Sequence, residues 1–280
     1  MTKDLPLIEK ALRQFLPSNQ IHPCQIHEAM RYAVLDGGKR FRPLLVLGAC
    51  EAVGGKLKQA LLPACAVEFI HAYSLVHDDL PALDNDEMRR GKPTCHRQFG
   101  EALAILAGDA LLTRAFELLS RFDPPEKAIL LTRELSEAAG TNGMIGGQVA
   151  DILFAQNGHR QTLTPSSLDE ISQNKTGRLI EASAVLGALV GTSSSSKLRR
   201  IRRFGQTLGL AFQVVDDIMD GDGYLRMMNR QKARQKAEAL LQKARKESEF
   251  FGARAERLLG FVRFLSQTAA QNVHDLSVAS

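Results

Sequence analysis

Two groups of aspartates, each directly after an apolar stretch, are the residues of this chain best suited to chemistry. Their members are Asp78, Asp79 and Asp84 in the first group and Asp216, Asp217 and Asp220 in the second. Carboxylates so close together repel one another and cost stability unless a cation neutralises them. Carboxylate oxygens are the ligands that Mg²⁺ prefers, and Mg²⁺ held in this way completes its shell with water and substrate phosphates. Two such groups that face each other predict a Mg²⁺ site, whereas one alone is equally typical of an exposed acidic helix end.

Basic residues accompany both acid groups and indicate the charge of the substrate. They are Lys39, Arg40 and Arg42 in "GGKRFRP", Arg89 and Arg90 soon after the first acids, and Lys175 in "NKTGRLI". His71 precedes Asp78 by two helical turns, so the two share nearly one face. Guanidinium and ammonium groups beside a metal–carboxylate site favour polyanionic substrates, and diphosphates fit best. Each base alone is more typical of a solvated surface, and His71 alone of a core histidine, so the prediction depends on their combination.

The elements that must position these residues are helices. The chain has 280 residues, of which 44% are hydrophobic and 24% charged, and it shows no alternating strand pattern of useful length. Long runs that suit helices are "ALLPACAVEFIHAYSLVHDDL", "GEALAILAGDALLTRAFELLSRF", "GRLIEASAVLGALVG" and "RRIRRFGQTLGLAFQVVDDIMD". In "TPSSLDE", Thr164 is placed to cap a helix that begins with Pro165. We therefore predict an all-α protein, a single domain over residues 1–280, built as a bundle of about ten helices.

Charge and cysteine content argue against other classes of protein. The formal net charge is +5. Lys and Arg concentrate between Arg226 and Arg257 without interleaved aromatics, which indicates a solvated helix face and no nucleic-acid partner. The four cysteines lack C-x-x-C spacing and predict reduced thiols rather than a disulfide frame or a zinc site. We see no apolar signal-peptide region and no run near the ~20 residues of a membrane span, so we expect a cytoplasmic protein.

Six segments together resemble the trans-isoprenyl diphosphate synthases, especially bacterial farnesyl and plant-type geranylgeranyl diphosphate synthases. They are "GGKRFRP", "HAYSLVHDDLPALDNDEMRRGKPTCH", "GEALAILAGDALL", "GMIGGQVADI", "NKTGRLI" and "FQVVDDIMD", in the order and spacing of the family. Among them, "DDLPALDNDEMRRG" is highly specific. The resemblance implies helices around a deep apolar cavity, a homodimer, and head-to-tail joining of an allylic diphosphate (dimethylallyl or geranyl) to isopentenyl diphosphate.

The resemblance also implies roles for individual residues. The expected ligands of Mg²⁺, about three ions per site, are Asp78, Asp84 and Asp216, supported by Asp220. The residues expected to hold the allylic diphosphate are Arg89 and Lys175. Those expected to hold isopentenyl diphosphate are Lys39, Arg42, His71 and Arg90. Those expected to line the site are Gln148 and Gln213.

Two further expectations concern the product and the proton. Residues just before the first acid group set the chain length in this family, and here they are Tyr73 and Ser74. A bulky Tyr73 resembles the farnesyl type, so we favour a C15 product over C20. In the family the released diphosphate is the expected proton acceptor, so we assign no side chain as general base.

After "VVDDIMD" the chain departs from the family pattern. Members normally continue with a glycine–lysine loop and a "K-x-T-Y-P" segment that closes over the site and brings another lysine to the allylic diphosphate. Here "GDGYLRMMNRQKARQKAEALL" leads almost directly into a basic helix, and Arg226 or Arg230 is the available substitute for that lysine.

Three explanations of this departure stay open. The chain is a variant with a shorter lid, or a catalytically weak homologue that acts as a regulatory or partner subunit of a synthase, or a sequence that lacks a segment of the real protein. Lid closure excludes water and completes such sites, so the departure bears on activity more than on fold. A terpene cyclase is disfavoured, because "DDIMD" stands where such an enzyme carries an Asn/Ser/Glu metal motif.

Overall fold

The computed structural model describes residues 2–35, 37–156 and 164–271, and these are almost entirely helical, which confirms the predicted all-α class. The α-helices are α1 (Leu5–Phe15), α2 (Cys24–Leu35), α3 (Phe41–Val53), α4 (Leu57–Asp78), α5 (Cys95–Phe99), α6 (Glu101–Ser120), α7 (Pro125–Ala139), α8 (Met144–Gln156), α9 (Pro165–Ser172), α10 (Arg178–Gly191), α11 (Ser195–Asp220), α12 (Arg230–Glu249) and α13 (Glu256–Ala270). A two-stranded antiparallel ribbon joins β1 (Met88–Arg89) and β2 (Lys92–Pro93). Irregular helical turns are Thr2–Asp4, Gly223–Arg226 and Gly252–Ala255, which are 3₁₀, and Gln173–Gly177, which is π-helical.

The chain forms two compact units. The first comprises Met1–Leu47 and Leu57–Thr132, and the second comprises Gly48–Lys56 and Arg133–Ser280. The first acid group belongs to the first unit, and the second acid group belongs to the second unit. The single domain over residues 1–280 stays a prediction.

Helix α4 is the core helix of the first unit. It packs against α6 and is also contacted by α1 and α2. Gly108 on α6 allows a close approach, because a Cβ added there would lie 2.9 Å from Cε1 of His77. By length and composition α4 could cross a membrane, but 67% of its most apolar window is buried inside the structure. Such burial is typical of a core helix and agrees with the apolar character of this run.

Helix α11 is the central helix of the second unit, where it packs against α10 and α12. It ends at Asp220 because Gly221 follows in the left-handed conformation, with φ 77°. Thr164 caps α9 as predicted: its side chain accepts a hydrogen bond from the Ser167 N–H, and the Ser167 hydroxyl oxygen accepts one from the Thr164 N–H.

Candidate active site

The first acid group lies where α4 ends and the chain folds back. Asp78 is the last residue of the helix and is half-buried, whereas Asp84 is exposed. The backbone N–H of Asp84 donates to the carbonyl oxygen of Asp78 at 2.9 Å. This turn brings together the two aspartates that were predicted as Mg²⁺ ligands of the first group.

Asp79 and Arg89 form a charge pair next to this turn. Asp79 is buried, and its two oxygens accept hydrogen bonds from Arg89 Nε at 2.8 and 3.0 Å, while Arg89 Nη2 reaches Oδ1 at 2.5 Å. These hydrogen bonds raise the pKa of Arg89 above its ordinary value. A fork of this kind fixes both the position and the orientation of a guanidinium. Asp79 therefore anchors Arg89, the residue predicted to hold the allylic diphosphate.

The "GGKRFRP" turn positions one arginine for the site and buries another. Arg90 Nη1 donates to the carbonyl oxygen of Gly37 at 2.7 Å. Gly38 has φ 117° and leaves room for this guanidinium, since a Cβ there would lie 2.8 Å from Arg90 Nη1. Arg40 is instead buried in an ion pair with Glu68, with Nη1 and Oε1 2.8 Å apart. Arg40 thus holds the turn in place, while Arg90 is exposed.

His71 lies in the positive field of the neighbouring arginines. It is half-buried on α4, and burial together with the charges of Arg42 and Arg90 holds its pKa well below the ordinary value, so the imidazole is neutral at neutral pH. Arg42 is half-buried and Lys39 is exposed. The structure thus brings together three of the four residues predicted to hold isopentenyl diphosphate, and the role of Lys39 beside them stays a prediction.

Tyr73 and Ser74, the predicted chain-length residues, differ in their surroundings. Tyr73 is 5% exposed, and its hydroxyl has no hydrogen-bond partner among the described residues. Burial and, to a lesser degree, the charge of Asp78 raise the pKa of Tyr73 to about 12. Its ring packs edge-on against His77, with the two centroids 5.8 Å apart. Ser74 Oγ donates to the carbonyl oxygen of His71 at 2.9 Å and so is turned back onto its own helix.

The second unit contains a cavity of about 430 Å³ at the end of α11, which we call the acid cavity. The acids that line it are Asp151, Asp216, Asp217, Asp220 and Asp222, and the other polar lining residues include Lys175, Gln213 and Arg226. Four residues predicted from the sequence, at positions 175, 213, 216 and 220, therefore share one cavity. Gln148 is half-buried on α8 and stands outside the cavity wall that the described residues form.

The adjacent Asp216 and Asp217 have different environments. Asp216 is exposed, as is Asp220 one helical turn later, whereas Asp217 is buried. Asp217 accepts hydrogen bonds from Gln213 Nε2 at 2.7 Å and from the Tyr224 N–H at 2.9 Å. Burial raises the pKa of Asp217, and these two hydrogen bonds oppose that shift. The exposed pair lines the acid cavity, whereas Asp217 ties α11 to the turn that follows it, as Asp79 ties the end of α4 to Arg89 of β1.

Lys175 lies in the π-helical turn Gln173–Gly177, where one extra residue widens the helix. Its Nζ forms an ion pair with Asp151 Oδ2 at 2.5 Å. Gly147 on α8 makes this possible by allowing the two backbones to meet, since a Cβ there would lie 2.6 Å from Lys175 Cα. Lys175 is thus directed towards α8 and held beside an acid of the cavity wall.

The π-helical turn also touches α11 on another side. A Cβ added to Gly209 would lie 2.7 Å from the Cα of Gly177, so the two backbones are in direct contact. Gly177 and Gly209 are both buried. The turn that carries Lys175 is therefore fixed by glycine contacts to α8 and to α11.

Asp151, the ion-pair partner of Lys175, was not among the residues predicted from the sequence. A signal was present, because Asp151 follows Gln148 by three residues in "GGQVAD", and residues so spaced lie on one side of a helix. The signal was weak, because Gln148 itself stands outside the cavity wall that Asp151 lines. The pairing with a lysine 24 residues further along required the fold.

The segment that stands in place of the expected lid, residues 221–229, is anchored by its own side chains. Gly223 has φ 55°, and a Cβ there would lie 2.8 Å from Asp217 Oδ1. Tyr224 is fully buried, and its hydroxyl donates to Asp169. Lys236 Nζ donates to both oxygens of Asp169, at 2.7 and 2.8 Å, and lies 5.0 Å from the centre of the Tyr224 ring. This segment is therefore tied to α9, α11 and α12.

The acids of each unit suit a hard divalent cation that is bound partly by the protein and partly by a substrate. Among the described residues, no three His, Cys, Asp or Glu side chains form a group able to hold a metal by themselves. The pairs Asp78 with Asp84 and Asp216 with Asp220 offer the one or two carboxylates with which Mg²⁺ is usually bound, its other ligands being water and substrate phosphates. That the two acid groups face each other stays a prediction.

A comparison with known protein families identifies the family to which this chain belongs. A family model described as polyprenyl synthetase matches residues 23–244, which is most of the chain and includes both acid groups. The chain belongs to the polyprenyl synthetase family. The resemblance found in the sequence is thereby confirmed.

Relatives of known function within the polyprenyl synthetase family include plant and bacterial enzymes. The large subunit 1 of the chloroplastic heterodimeric geranylgeranyl pyrophosphate synthase of Arabidopsis thaliana is 50% identical over 219 residues, which is 76% of this chain and 58% of that protein. The farnesyl diphosphate synthase of Geobacillus stearothermophilus is 46% identical over 220 residues, which is 77% of this chain and 72% of that protein. The chain thus spans less than three fifths of the plant relative.

Solved structures of the family confirm the fold. An FPP/GFPP synthase from Zymomonas mobilis superposes with a TM-score of 0.87 at 36% identity, covering 93% of this chain and 95% of that one. A geranyltransferase from Legionella pneumophila superposes with a TM-score of 0.88 at 34% identity, covering 95% of each chain. This polyprenyl synthetase therefore has the isoprenoid synthase type of helical fold.

Proposed function

We propose that this chain is a short-chain prenyltransferase that condenses an allylic diphosphate with isopentenyl diphosphate to give farnesyl diphosphate. The observation that carries the proposal is the acid cavity, which the exposed Asp216 and Asp220 line together with Lys175. A metal–diphosphate complex requires carboxylates that bind the cation and, beside them, an ammonium group that binds the anion. The names of the relatives, which include farnesyl and geranylgeranyl diphosphate synthases, support the same substrates.

Different residues would bind the metal and each of the two substrates. Asp78 and Asp84 in the first unit, and Asp216 and Asp220 in the second, would hold Mg²⁺, which when bound supplies positive charge to the departing diphosphate. The residues that would hold the allylic diphosphate are Arg89 and Lys175. Those that would hold isopentenyl diphosphate are Lys39, Arg42, His71 and Arg90.

The proposed reaction breaks the bond between the allylic carbon and its diphosphate oxygen. The alkene of isopentenyl diphosphate then forms the new carbon–carbon bond, and the released diphosphate accepts the proton that is lost. His71 would serve as a hydrogen-bonding ligand of isopentenyl diphosphate beside Arg42 and Arg90. Water must be kept out while the allylic cation exists.

The C15 product rests on Tyr73. Its buried ring stands on α4 five residues before Asp78, so a growing chain directed along this helix would meet it. We expect Tyr73→Ala to shift the product towards C20 or longer, whereas Ser74→Ala should leave the product at C15. Products of C20 from the unaltered chain would reject the role of Tyr73 and keep the reaction.

We further propose a homodimer in the cytoplasm. A dimer is supported by the exposed apolar stripe Ile145, Val149 and Leu153, which follows one face of α8 at four-residue spacing. Sedimentation analysis of the purified chain tests the dimer. A single species of monomer mass at micromolar concentration would argue against it.

The test of the function is incubation of the purified chain with Mg²⁺, isopentenyl diphosphate and geranyl diphosphate, followed by chromatography of the dephosphorylated products. A C15 alcohol that disappears when Asp216→Asn replaces the unaltered chain supports the proposal. The alternative is a catalytically weak homologue that acts as a regulatory or partner subunit. Binding of diphosphate in a Mg²⁺-dependent manner without any product would favour that alternative.

A further inference from the structure

We propose that Arg226 binds a phosphate group of the allylic diphosphate in the acid cavity. The inference rests on the proposed function, because it adds a substrate contact to the same site. Arg226 lines the acid cavity. It also lies in the 221–229 segment, where this chain departs from the family pattern, so its role has to be argued from the contacts seen here.

The charge balance of the acid cavity calls for a second base. Five aspartates line the cavity, and among its described lining residues only Lys175 and Arg226 carry positive charge. Lys175 is already paired with Asp151 at 2.5 Å. A diphosphate adds further negative charge, and a guanidinium matches two phosphate oxygens at once, which an ammonium does not. Arg226 supplies that guanidinium at the wall of the cavity.

The side chain of Arg226 can change partners at little cost. It is 69% exposed and pairs with Asp222, whose side chain is 54% exposed, with Nη2 and Oδ2 2.7 Å apart. An exposed ion pair between residues four apart contributes little to stability, because water and salt screen it. A diphosphate at the cavity would compete with Asp222 for the guanidinium, and it carries more charge than one carboxylate.

The backbone that carries Arg226 is held by hydrogen bonds, which keep this residue at the wall of the cavity. Two residues earlier, Tyr224 is fully buried and donates its N–H to Asp217. The Met227 N–H donates to the Tyr224 carbonyl oxygen at 3.1 Å and closes the 3₁₀ turn around Arg226. Preorganised groups lose less entropy on binding, which favours a side chain mounted on such a turn.

Arg230, the other candidate base after the second acid group, begins α12 and has a different contact. Its Nη1 donates to the carbonyl oxygen of Ile218 at 2.7 Å, and the side chain is half-buried. This contact caps an orphan carbonyl near the end of α11, a common role for a basic residue. Arg230 thus closes the helix, and Arg226 is the base of the segment that lines the cavity.

The test is a calorimetric titration of inorganic diphosphate at fixed Mg²⁺, made on the full chain and on four variants. We expect Arg226→Gln to raise the Kd about tenfold, as for loss of one charge-assisted contact at an exposed position, and Arg226→Lys to recover part of that loss. Asp222→Asn should leave the Kd unchanged or lower it, because it removes a competitor. Arg245→Gln is the matched control, since Arg245 forms an equally exposed pair with Glu249 outside the cavity.

Steady-state kinetics separate this role from a general one. For Arg226→Gln we expect a higher KM for geranyl diphosphate and an unchanged KM for isopentenyl diphosphate. Equal Kd values for Arg226→Gln and the unaltered chain, or weaker binding by Asp222→Asn to the same degree as Arg226→Gln, would overturn the assignment. If the unaltered chain binds no diphosphate and forms no product, that result rejects the proposed function and, with it, the assignment of Arg226.

Discussion

Asp217 accepts a hydrogen bond from the backbone N–H of Tyr224 at 2.9 Å, while the preceding Asp216 is exposed at the wall of the acid cavity. Substitution of Asp217 should therefore affect mainly the stability of the chain, and substitution of Asp216 mainly its activity. Asp217→Asn should lower the free energy of unfolding by about 1–3 kcal/mol, because one of its two accepting oxygens becomes an NH2 group that faces a donor, either Gln213 Nε2 or the Tyr224 N–H. Asp216→Asn should lower the free energy of unfolding less than Asp217→Asn does, because Asp216 is exposed, and its proposed role as a Mg²⁺ ligand predicts a fall in kcat/KM of about a hundredfold or more.

Thermal unfolding and steady-state rates on the two variants check this division. A loss of stability in Asp216→Asn as large as that in Asp217→Asn would show that both aspartates are structural. Full activity in Asp216→Asn would remove it from the list of metal ligands.

Tyr224→Phe tests how much the Tyr224 hydroxyl contributes to holding the 221–229 segment in place. The change removes the hydroxyl that donates to Asp169 but leaves the buried ring and the two Lys236 contacts. We expect a loss of about 1 kcal/mol in the free energy of unfolding, the usual contribution of one hydrogen bond. Tyr32→Phe is the control, because that hydroxyl donates to the Pro93 carbonyl oxygen at an exposed position. Urea titration measures the free energy of unfolding of both variants. Equal decreases for the two would mean that burial does not strengthen the hydrogen bond of Tyr224.

Gly147→Ala should displace Lys175. The added Cβ would meet the backbone of the π-helical turn at 2.6 Å, so α8 and that turn must separate. We expect a loss of about 1–3 kcal/mol from overpacking, together with a higher KM for the allylic diphosphate as the pair with Asp151 opens. Gly48→Ala is the control, since its nearest neighbour, Arg257 Cβ, would lie at 3.3 Å. Melting curves and KM values equal to those of the unaltered chain would contradict the close packing.

His71 should make the chain less stable in mild acid. Its pKa in the folded chain lies well below the value of about 6.5 for an unfolded histidine, so the unfolded state binds the proton first. The free energy of unfolding then falls as pH drops below about 6.5. His71→Gln removes this group, and its melting temperature should fall less steeply than that of the unaltered chain between about pH 7 and about pH 5.5. Parallel slopes for the two proteins would contradict the depressed pKa.

Most of the fold and part of the candidate site could be predicted from the sequence. The helical class followed from long apolar runs, and the capping of α9 followed from Thr164 and the proline after it. The exposed acids of α11 followed from their spacing, since residues four apart share a face whatever the tertiary structure. These features depend on local chemistry, which the sequence displays directly.

Features that depend on contacts between distant residues could not be predicted. The sequence does not distinguish Asp78 from Asp79, because the difference arises from the Arg89 fork that reaches only one of them. The pairing of Lys175 with Asp151 could not be predicted because it joins residues 24 apart, and the π-helical turn directs the Lys175 side chain away from the period of an α-helix. Tyr224 stood in a segment that looked like a simple connection, and its burial depends on α9 and α12.

The contact between Gly177 and Gly209 restricts how this chain can vary. When two packed side chains clash after a substitution, a smaller partner can often restore the fit. Here both partners already have the smallest possible residue, and a Cβ at Gly209 would lie 2.7 Å from the Gly177 Cα, so no second substitution at the contact can compensate the first. Gly209 cannot take a side chain unless the π-helical turn and α11 move apart, and that separation would displace the turn that carries Lys175. A requirement for the charge at position 175 therefore also constrains Gly209, a buried residue on a different helix.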